Sequence, residues 1–151
     1  MSSTIGTITA VNGNLITVQF EGAVGQNEVA FAHLDDKRLM AEVVRVRANR
    51  ADLQVFEDTT GLAVGDQVEF TGHLLSAQLG PGLLGQIYDG LQNPLPRLAE
   101  QCGFFLQRGT YLEALDPHAV WPFTPVACVG DRLSAGETLG TVPEGIFQHR
   151  I

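Results

Sequence analysis

The sequence has 151 residues, which allows one ordinary domain or two small ones, and 44% of them are hydrophobic, as in a globular protein. Acidic residues outnumber basic ones by 17 to 9, so the formal charge is −8. Because nucleic-acid binding needs a basic face and the sequence has no basic stripe, no nucleic-acid partner is expected. No stretch reaches the roughly 18 apolar residues of a membrane span, so direct insertion into a membrane is not expected either.

The first half of the sequence is typical of short antiparallel strands. Apolar and polar residues alternate over Leu15–Phe20 as in a half-buried strand, and Asn12-Gly13-Asn14 before it is a hairpin signal. Five of about six expected strands can be assigned, namely Ile5–Val11, Leu15–Phe20, Leu39–Arg47, Ala51–Asp58 and Gln67–Thr71. Turn signals recur about every ten residues, which favours an antiparallel barrel or sandwich. We expect a mostly β fold that begins with a six-stranded antiparallel β-barrel.

The pattern changes after Gly72. Pro81 is suited to the first turn of a helix, and five apolar residues follow it with the spacing of one helical face. They are Leu83, Leu84, Ile87, Tyr88 and Leu91. We therefore predict a short helix that Pro94 and Pro96 terminate, with a further turn or two over Leu98–Cys102.

Strands are expected again from Gly103 onward, as a second small β-rich segment. The apolar runs Phe104–Leu106, Val126–Val129 and Thr138–Val142 are separated by glycine and proline, and Trp121–Pro125 is expected to be extended. The stretch Val129–Val142 resembles the turn of biotinyl- and lipoyl-carrier domains, but no lysine follows it to be modified. A shared barrel-sandwich shape is therefore expected there without the carrier function.

The stretch LGPGLLGQIYDG, at Leu79–Gly90, contains the pattern G-x-G-x-x-G at Gly80, Gly82 and Gly85. In a dinucleotide-binding fold this pattern follows a strand, opens a long helix and precedes a parallel strand. The helix predicted here is too short, and no parallel strand follows. Glu100 has the spacing of a ribose-binding acid but falls in the second predicted helical segment. We interpret the glycines as a structural turn that leads from the barrel into a helix.

Phosphate-binding and metal-binding patterns are also missing. A P-loop needs a lysine after its glycines, and the single lysine, Lys37, has no glycine-rich stretch before it. The histidines have no metal-binding spacing and are interpreted as surface or turn residues. They are His33, His73, His118 and His149. No catalytic, cofactor-binding or metal-binding residue is therefore assigned.

The remaining reactive side chains have simple structural interpretations. Two cysteines, Cys102 and Cys128, fit a reducing cytosol with both thiols free. A small enzyme that uses Cys102 with a distant histidine stays as an alternative, although a buried inert thiol fits its aromatic neighbours better. The acidic pairs Asp35-Asp36 and Glu57-Asp58 are interpreted as turn residues and solvated strand ends.

Three longer blocks resemble the N-terminal part of the catalytic A subunit of V-type ATPases. Gly6–Phe20 resembles the opening strand pair of that family, and Leu39–Gly72 resembles its block E-V-[IV]-R … Q-V-[YF]-E-x-T-x-G-L. Leu75–Leu95 resembles the most specific block, L-S-x-x-L-G-P-G-L-L-x-x-I-x-D-G-[IL]-Q-R-P-L, with Asn93 where the family usually has arginine. The family usually has Gly-Glu where this sequence has Ala41-Glu42.

The resemblance implies three parts. Residues 1–74 would be the N-terminal β-barrel that joins alternating A and B subunits in a hexamer. Residues 75–102 would be a helical connector toward a nucleotide-binding domain, and residues 103–151 would be the first part of an outward-facing bulge that contacts the peripheral stalk. The parent subunit would bind ATP and Mg²⁺ and couple ATP hydrolysis or synthesis to H⁺ or Na⁺ transport, in a cytoplasmic part of a membrane-attached complex.

The nucleotide-binding domain of that family follows the bulge, so the resemblance implies a structural and assembly part of a longer subunit, itself without ATPase chemistry. A free-standing β-barrel binding module remains the alternative. The reading frame beyond Ile151 distinguishes the two, because a P-loop motif favours the ATPase and a stop codon favours the module.

Overall fold

The computed structural model describes residues 4–151. Its Cα positions divide into two compact units. The first contains the described chain from Thr4 to Ser76 together with Gln107–Thr110, and the second contains Ala77–Leu106 and Tyr111–Ile151. Among the described residues, no helix has the length and apolar character to cross a membrane.

The first unit is a closed antiparallel barrel of six strands. In chain order they are β1 (Thr4–Asn12), β2 (Leu15–Phe20), β3 (Glu28–Leu34), β4 (Lys37–Arg47), β5 (Arg50–Val55) and β6 (Gln67–Leu74). Around the barrel the order is β1-β2-β5-β4-β3-β6, and every neighbouring pair is antiparallel. The predicted fold class, including the six-stranded barrel, is confirmed.

Alternation along the strands fills the barrel. On β2, Ile16, Val18 and Phe20 point inward and are buried, whereas Leu15 and Gln19 are exposed. Strands β4, β5 and β6 contribute their buried residues in the same way, and together they form one apolar core. Closure of the sheet pairs every strand on both sides, so the barrel has no exposed sheet edge.

The chain returns to the barrel through residues 107–110. One nitrogen of Arg108, Nη1, donates to the carbonyl oxygens of Asp58 and Thr60 at 2.9 and 2.7 Å. The amide of Gly109 donates to the carboxylate of Glu57 at 2.8 Å. The pKa of Asp58 is lowered, mainly because its carboxylate accepts the amide and the hydroxyl of Thr60. Burial acts to raise this pKa, and the charge of Arg108 lowers it further. These contacts fasten Gln107–Thr110 to the segment that follows β5.

Gly109 should resist substitution because it combines a left-handed φ of 75° with a close approach to backbone. A Cβ atom there would lie 3.1 Å from the carbonyl oxygen of Arg38. We expect Gly109→Ala to lower the thermal stability of the barrel by about 2 kcal/mol, from left-handed strain and crowding together. Gly72→Ala is the control, because Gly72 has a φ of 73° with nothing within 4 Å of its Cβ position. Equal losses, followed by far-UV circular dichroism, would show that crowding against Arg38 has no effect.

The second unit contains one short helix, α1 (Leu95–Cys102), and a three-stranded sheet of β7 (Thr124–Pro125), β8 (Gly140–Glu144) and β9 (Phe147–Arg150) among its described residues. The sheet order is β7-β8-β9 with antiparallel pairs. The extended conformation predicted for Trp121–Pro125 agrees with β7 at its end. The runs Phe104–Leu106 and Val126–Val129 form no strand, and Thr138–Val142 does so only from Gly140.

The helix predicted after Pro81 is wrong. Residues 81–92 form successive turns, because Gly82 and Gly85 have left-handed φ values of 102° and 78°, which no helix accommodates. Pro94 and Pro96 do not end a helix but stand at the start of α1, where a missing amide hydrogen costs nothing. The expected turn or two over Leu98–Cys102 is the second half of α1.

Candidate functional site

The glycine-rich stretch Leu79–Gly90 carries the dinucleotide-binding pattern, and two of its amides bind a carboxylate of the same chain. The amide of Gly82 donates to Oε1 of Glu144, at the end of β8, at 2.9 Å. The amide of Leu84 also hydrogen-bonds to this carboxylate. In a phosphate-binding loop such amides would bind the anionic ligand. Here a carboxylate of the chain itself takes the place of the phosphate.

His149 on β9 completes this contact. Its Nε2 is hydrogen-bonded to Oε2 of Glu144, the oxygen that does not accept the amide of Gly82. Val142 and His149 are paired in the β8–β9 register, so the imidazole lies beside the strand end that carries Glu144. The carboxylate therefore joins the glycine-rich stretch to the β8–β9 hairpin, and we call Gly82, Leu84, Glu144 and His149 the carboxylate clasp.

The pKa of Glu144 is lowered from its ordinary value of 4.5. Partial burial acts to raise it, but the amide of Gly82, the hydrogen bond and charge of His149 and the amide of Leu84 together outweigh burial. The ionised form is therefore the one that the clasp stabilises.

Acid should release the clasp before it unfolds the barrel. Since the folded-state pKa of Glu144 lies below 4.5, its stabilisation is present above pH 4.5 and is lost as the pH falls through the folded-state pKa. We expect the fluorescence of Trp121, the single tryptophan, to change in that range, because its ring lies near Gly82. Glu144→Gln should remove this transition. Glu137→Gln should keep it, since within residues 4–151 the carboxylate of Glu137 accepts the amide of Ser134 in an exposed turn and is not part of the clasp. Persistence of the transition in Glu144→Gln would contradict the assignment.

Packing explains why glycines occupy two of the three pattern positions. A Cβ atom at Gly80 would lie 3.0 Å from Leu115, and one at Gly82 would lie 3.3 Å from Trp121. The segment of Leu115 and Trp121 thus covers the loop where a nucleotide would need space. The interpretation of these glycines as a structural turn fits this packing, although the helix that was to follow them does not form.

Asp89 and Asn93 hold the next turn of the same stretch. Oδ1 of Asp89 accepts the amides of Leu91 and Asn93 at 2.9 and 2.8 Å, and Oδ2 accepts the side-chain amide of Asn93 at 2.8 Å. Asn93 is buried, and its Oδ1 accepts the amide of Leu112 at 2.7 Å. The side-chain carbonyl at position 93 therefore ties residue 112 to this turn, a contact that an arginine could not make because it has no acceptor.

Gln78 also connects distant parts of the second unit through hydrogen bonds. Its backbone exchanges hydrogen bonds with the side-chain amide of Gln92 at 2.7 and 2.8 Å. Its own side chain binds Glu113 and accepts the amide of Ala114. The polar groups of the stretch are thus used to hold the second unit together.

A cavity of about 330 Å³ lies beside the carboxylate clasp. Arg97 is its one basic lining residue, whereas Asp116 and Glu144 also line it. Two carboxylates against one guanidinium disfavour a polyphosphate there, since like charges repel.

The other residues considered as candidates in the sequence are on different elements. Lys37 is exposed at the start of β4, and Glu100 is exposed on α1. Cys102 ends α1 and Cys128 is exposed, and neither is in a disulfide. His33 on β3 lies 3.7 Å from Glu69.

The two other histidines and the paired acids are in turns or at strand ends. His73 is on β6, and the amide of His118 donates to Asp116. Asp35-Asp36 forms the turn between β3 and β4, and Glu57-Asp58 follows β5. Within residues 4–151, no group of three or more histidine, cysteine or acidic side chains could hold a metal ion.

Two domain models of one protein family match this chain. The model of the ATP synthase alpha/beta family β-barrel domain matches residues 8–72, which make up most of the closed barrel. The model of the ATP synthase alpha/beta subunit barrel-sandwich domain matches residues 112–151, which include β7, β8 and β9. The chain therefore belongs to the ATP synthase alpha/beta family.

Within that family the chain is similar to V-type ATP synthase alpha chains. It is 58% identical to alpha chain 1 of Treponema pallidum and 60% identical to the alpha chain of Treponema denticola, in each case over 100% of its length. It is 54% identical to the alpha chain of Borreliella burgdorferi over 99% of its length. The resemblance to V-type ATPase A subunits is confirmed, and the chain spans 26% of the length of each of these relatives.

Proposed function

We propose that this chain is the barrel and barrel-sandwich part of the alpha (A) chain of a V-type ATP synthase, and that its role is assembly, without ATPase chemistry of its own. The carboxylate clasp carries this proposal, because the loop that could have held a phosphate holds Glu144. The single lysine, Lys37, is exposed on the barrel rather than in a phosphate loop.

ATP and Mg²⁺ would be bound by the rest of the full-length alpha chain. That protein would couple ATP hydrolysis or synthesis to movement of H⁺ or Na⁺ through other subunits. The relatives are named as V-type ATP synthase chains, which supports the activity, and they are almost four times as long as this chain, which leaves room for a catalytic domain.

The partners of the barrel would be neighbouring B subunits in an alternating A/B hexamer, and the bulge would contact the peripheral stalk. Large apolar side chains exposed in the second unit support a buried role in an assembly, since Phe104, Val129 and Ile146 are each more than 90% exposed. The complex would be attached peripherally to a membrane, with this part in the cytoplasm.

Calorimetry tests the absence of nucleotide chemistry. We expect no binding of Mg-ATP by residues 1–151, whereas the full-length alpha chain of Treponema denticola should bind it. Micromolar binding by residues 1–151 would contradict the proposal, and a change of that binding in Glu144→Gln would locate the nucleotide at the clasp.

A chimera tests assembly. This chain would replace the matching region of the Treponema denticola alpha chain, which is 60% identical to it. We expect the chimera to assemble with the other subunits and retain ATPase activity. A chimera that folds and binds Mg-ATP but does not assemble would contradict the proposal.

A further inference from the structure

A β-bulge on β4 changes which side chains reach the outside of the barrel. The register with β5 shifts between Val43 and Arg45. Before the shift Val43 points inward, and after it Val46 packs against the core, so Val44 and Arg45 are both exposed. A regular strand would have directed Arg45 into the apolar interior. The bulge therefore places Arg45 on the surface.

Arg45, Arg47 and Arg50 together form what we call the arginine face. All three are exposed at the end of the β4–β5 hairpin, and Arg47 and Arg50 are directly opposite each other in the register. Like charges in that position destabilise a sheet. No ion pair joins any of the three to a residue in the described range 4–151.

One acid is opposite the arginine face in the β4–β5 register. Asp52 is opposite Arg45, and its Oδ1 also accepts the hydroxyl of Thr17 at 3.0 Å, so a single carboxylate faces three guanidinium groups there. The formal charge of the whole chain is −8, so three unpaired arginines on one hairpin are a local reversal of sign. Guanidinium groups pair with carboxylates through two parallel hydrogen bonds, which a lysine cannot do.

An apolar depression of about 540 Å³ begins at the same hairpin. Val46 and Ala48 line it from the inner side of the hairpin, whereas Arg47 between them is on the outer side, so the depression and the arginine face meet across the end of the hairpin. Leu74 is another lining residue and is exposed. Glu28 also lines it, but its two carboxylate oxygens accept the amides of Gly25 and Gly72 at 2.8 and 2.6 Å. The buried carboxylate of Glu28 is thus hydrogen-bonded within the barrel, and the remaining surface of the depression is mostly apolar.

We propose that the arginine face and this depression form a docking surface for an acidic protein segment that carries an apolar side chain. Carboxylates of the segment would pair with Arg45, Arg47 and Arg50, and its apolar side chain would enter the depression. This pairing would relieve the repulsion between Arg47 and Arg50, which accounts for two like charges kept in opposed positions. The docking surface is independent of the assembly proposed above.

Fluorescence anisotropy tests the docking surface with a labelled synthetic peptide of glutamates around two leucines. We expect binding by residues 1–151 that weakens as salt is raised to about 0.15 M. Arg45→Gln/Arg47→Gln/Arg50→Gln should weaken it at least about tenfold. Lys37→Gln/Arg132→Gln/Arg150→Gln makes the same change in net charge with exposed residues elsewhere and should bind as the unmodified chain does.

A second variant and two further probes make the test decisive. Leu74→Glu places a carboxylate at the exposed side of the depression and should also abolish binding without disturbing the core. Three results would overturn the proposal. The peptide would not bind, the two triple variants would lose binding equally, or a peptide with glutamine in place of glutamate would bind equally well. Tighter binding of heparin than of the peptide would also overturn it, because the surface would then be a general polyanion site.

Discussion

Phe70→Ala should lower the free energy of unfolding of the barrel by about 3–5 kcal/mol. Phe70 on β6 is completely buried, and its ring packs edge-on against Phe20 with the centroids 5.4 Å apart. The substitution removes a large apolar surface and leaves a cavity that the closed sheet cannot collapse around. The aromatic contact itself contributes part of the loss.

Urea unfolding followed by far-UV circular dichroism measures this change, because most of the regular structure is in the barrel. Phe104→Ala is the matched control, since it removes the same atoms from a side chain that is fully exposed. We expect the control to change stability by no more than about 0.5 kcal/mol. A loss below about 1.5 kcal/mol for Phe70→Ala would mean that the barrel interior is not packed around this ring.

Asp89→Ala should lower the stability of the second unit by about 2–4 kcal/mol. The carboxylate of Asp89 accepts two backbone amides and the side-chain amide of Asn93. Since Asn93 is buried, its amide would be left without an acceptor, and an unsatisfied buried donor costs more than the bond itself contributes. Loss of the turn would also displace the carbonyl that binds the amide of Leu112.

Fluorescence of Trp121 follows this unit separately from the barrel, because the chain has no other tryptophan. Asp131→Ala is the control, since Asp131 is exposed and, in the described part of the chain, its side chain accepts one amide, that of Cys128. Asp89→Asn keeps one acceptor oxygen and should retain part of the stability. Equal effects of Asp89→Ala and Asp131→Ala would contradict a special role for Asp89.

The barrel could be predicted because its strands follow a two-residue period in most places. β2 shows this clearly, with large apolar residues inside and polar residues outside. β3 was not assigned as a strand, because its inward residues Ala30 and Ala32 are small and its large residue, Phe31, points outward under Arg38. The two-residue alternation of β3 is present in the sequence, but its inward positions are small alanines instead of large apolar residues.

The second unit could not be predicted in the same way. Helical spacing is shown by Leu83, Leu84, Ile87, Tyr88 and Leu91. The backbone nevertheless forms turns there, because glycines adopt left-handed φ values and the side chain of Asp89 binds backbone amides. The carboxylate clasp joins Gly82 to Glu144, which are 62 residues apart in sequence, so no local sequence pattern predicts this contact. The context of Gly80, Gly82 and Gly85 argues against a nucleotide loop, but the local sequence does not identify Glu144 as the group that binds the amide of Gly82.

The return of Arg108 and Gly109 to the barrel has a consequence for biosynthesis. The six strands leave the ribosome before residues 77–106, but the contacts of Gln107–Thr110 with the segment after β5 require those residues to be made first. The nascent barrel should close early and acquire its last hydrogen bonds only after the intervening segment has been translated. A chain released at Ser76 would therefore carry all six strands and yet lack the peptide that secures Glu57 and Thr60.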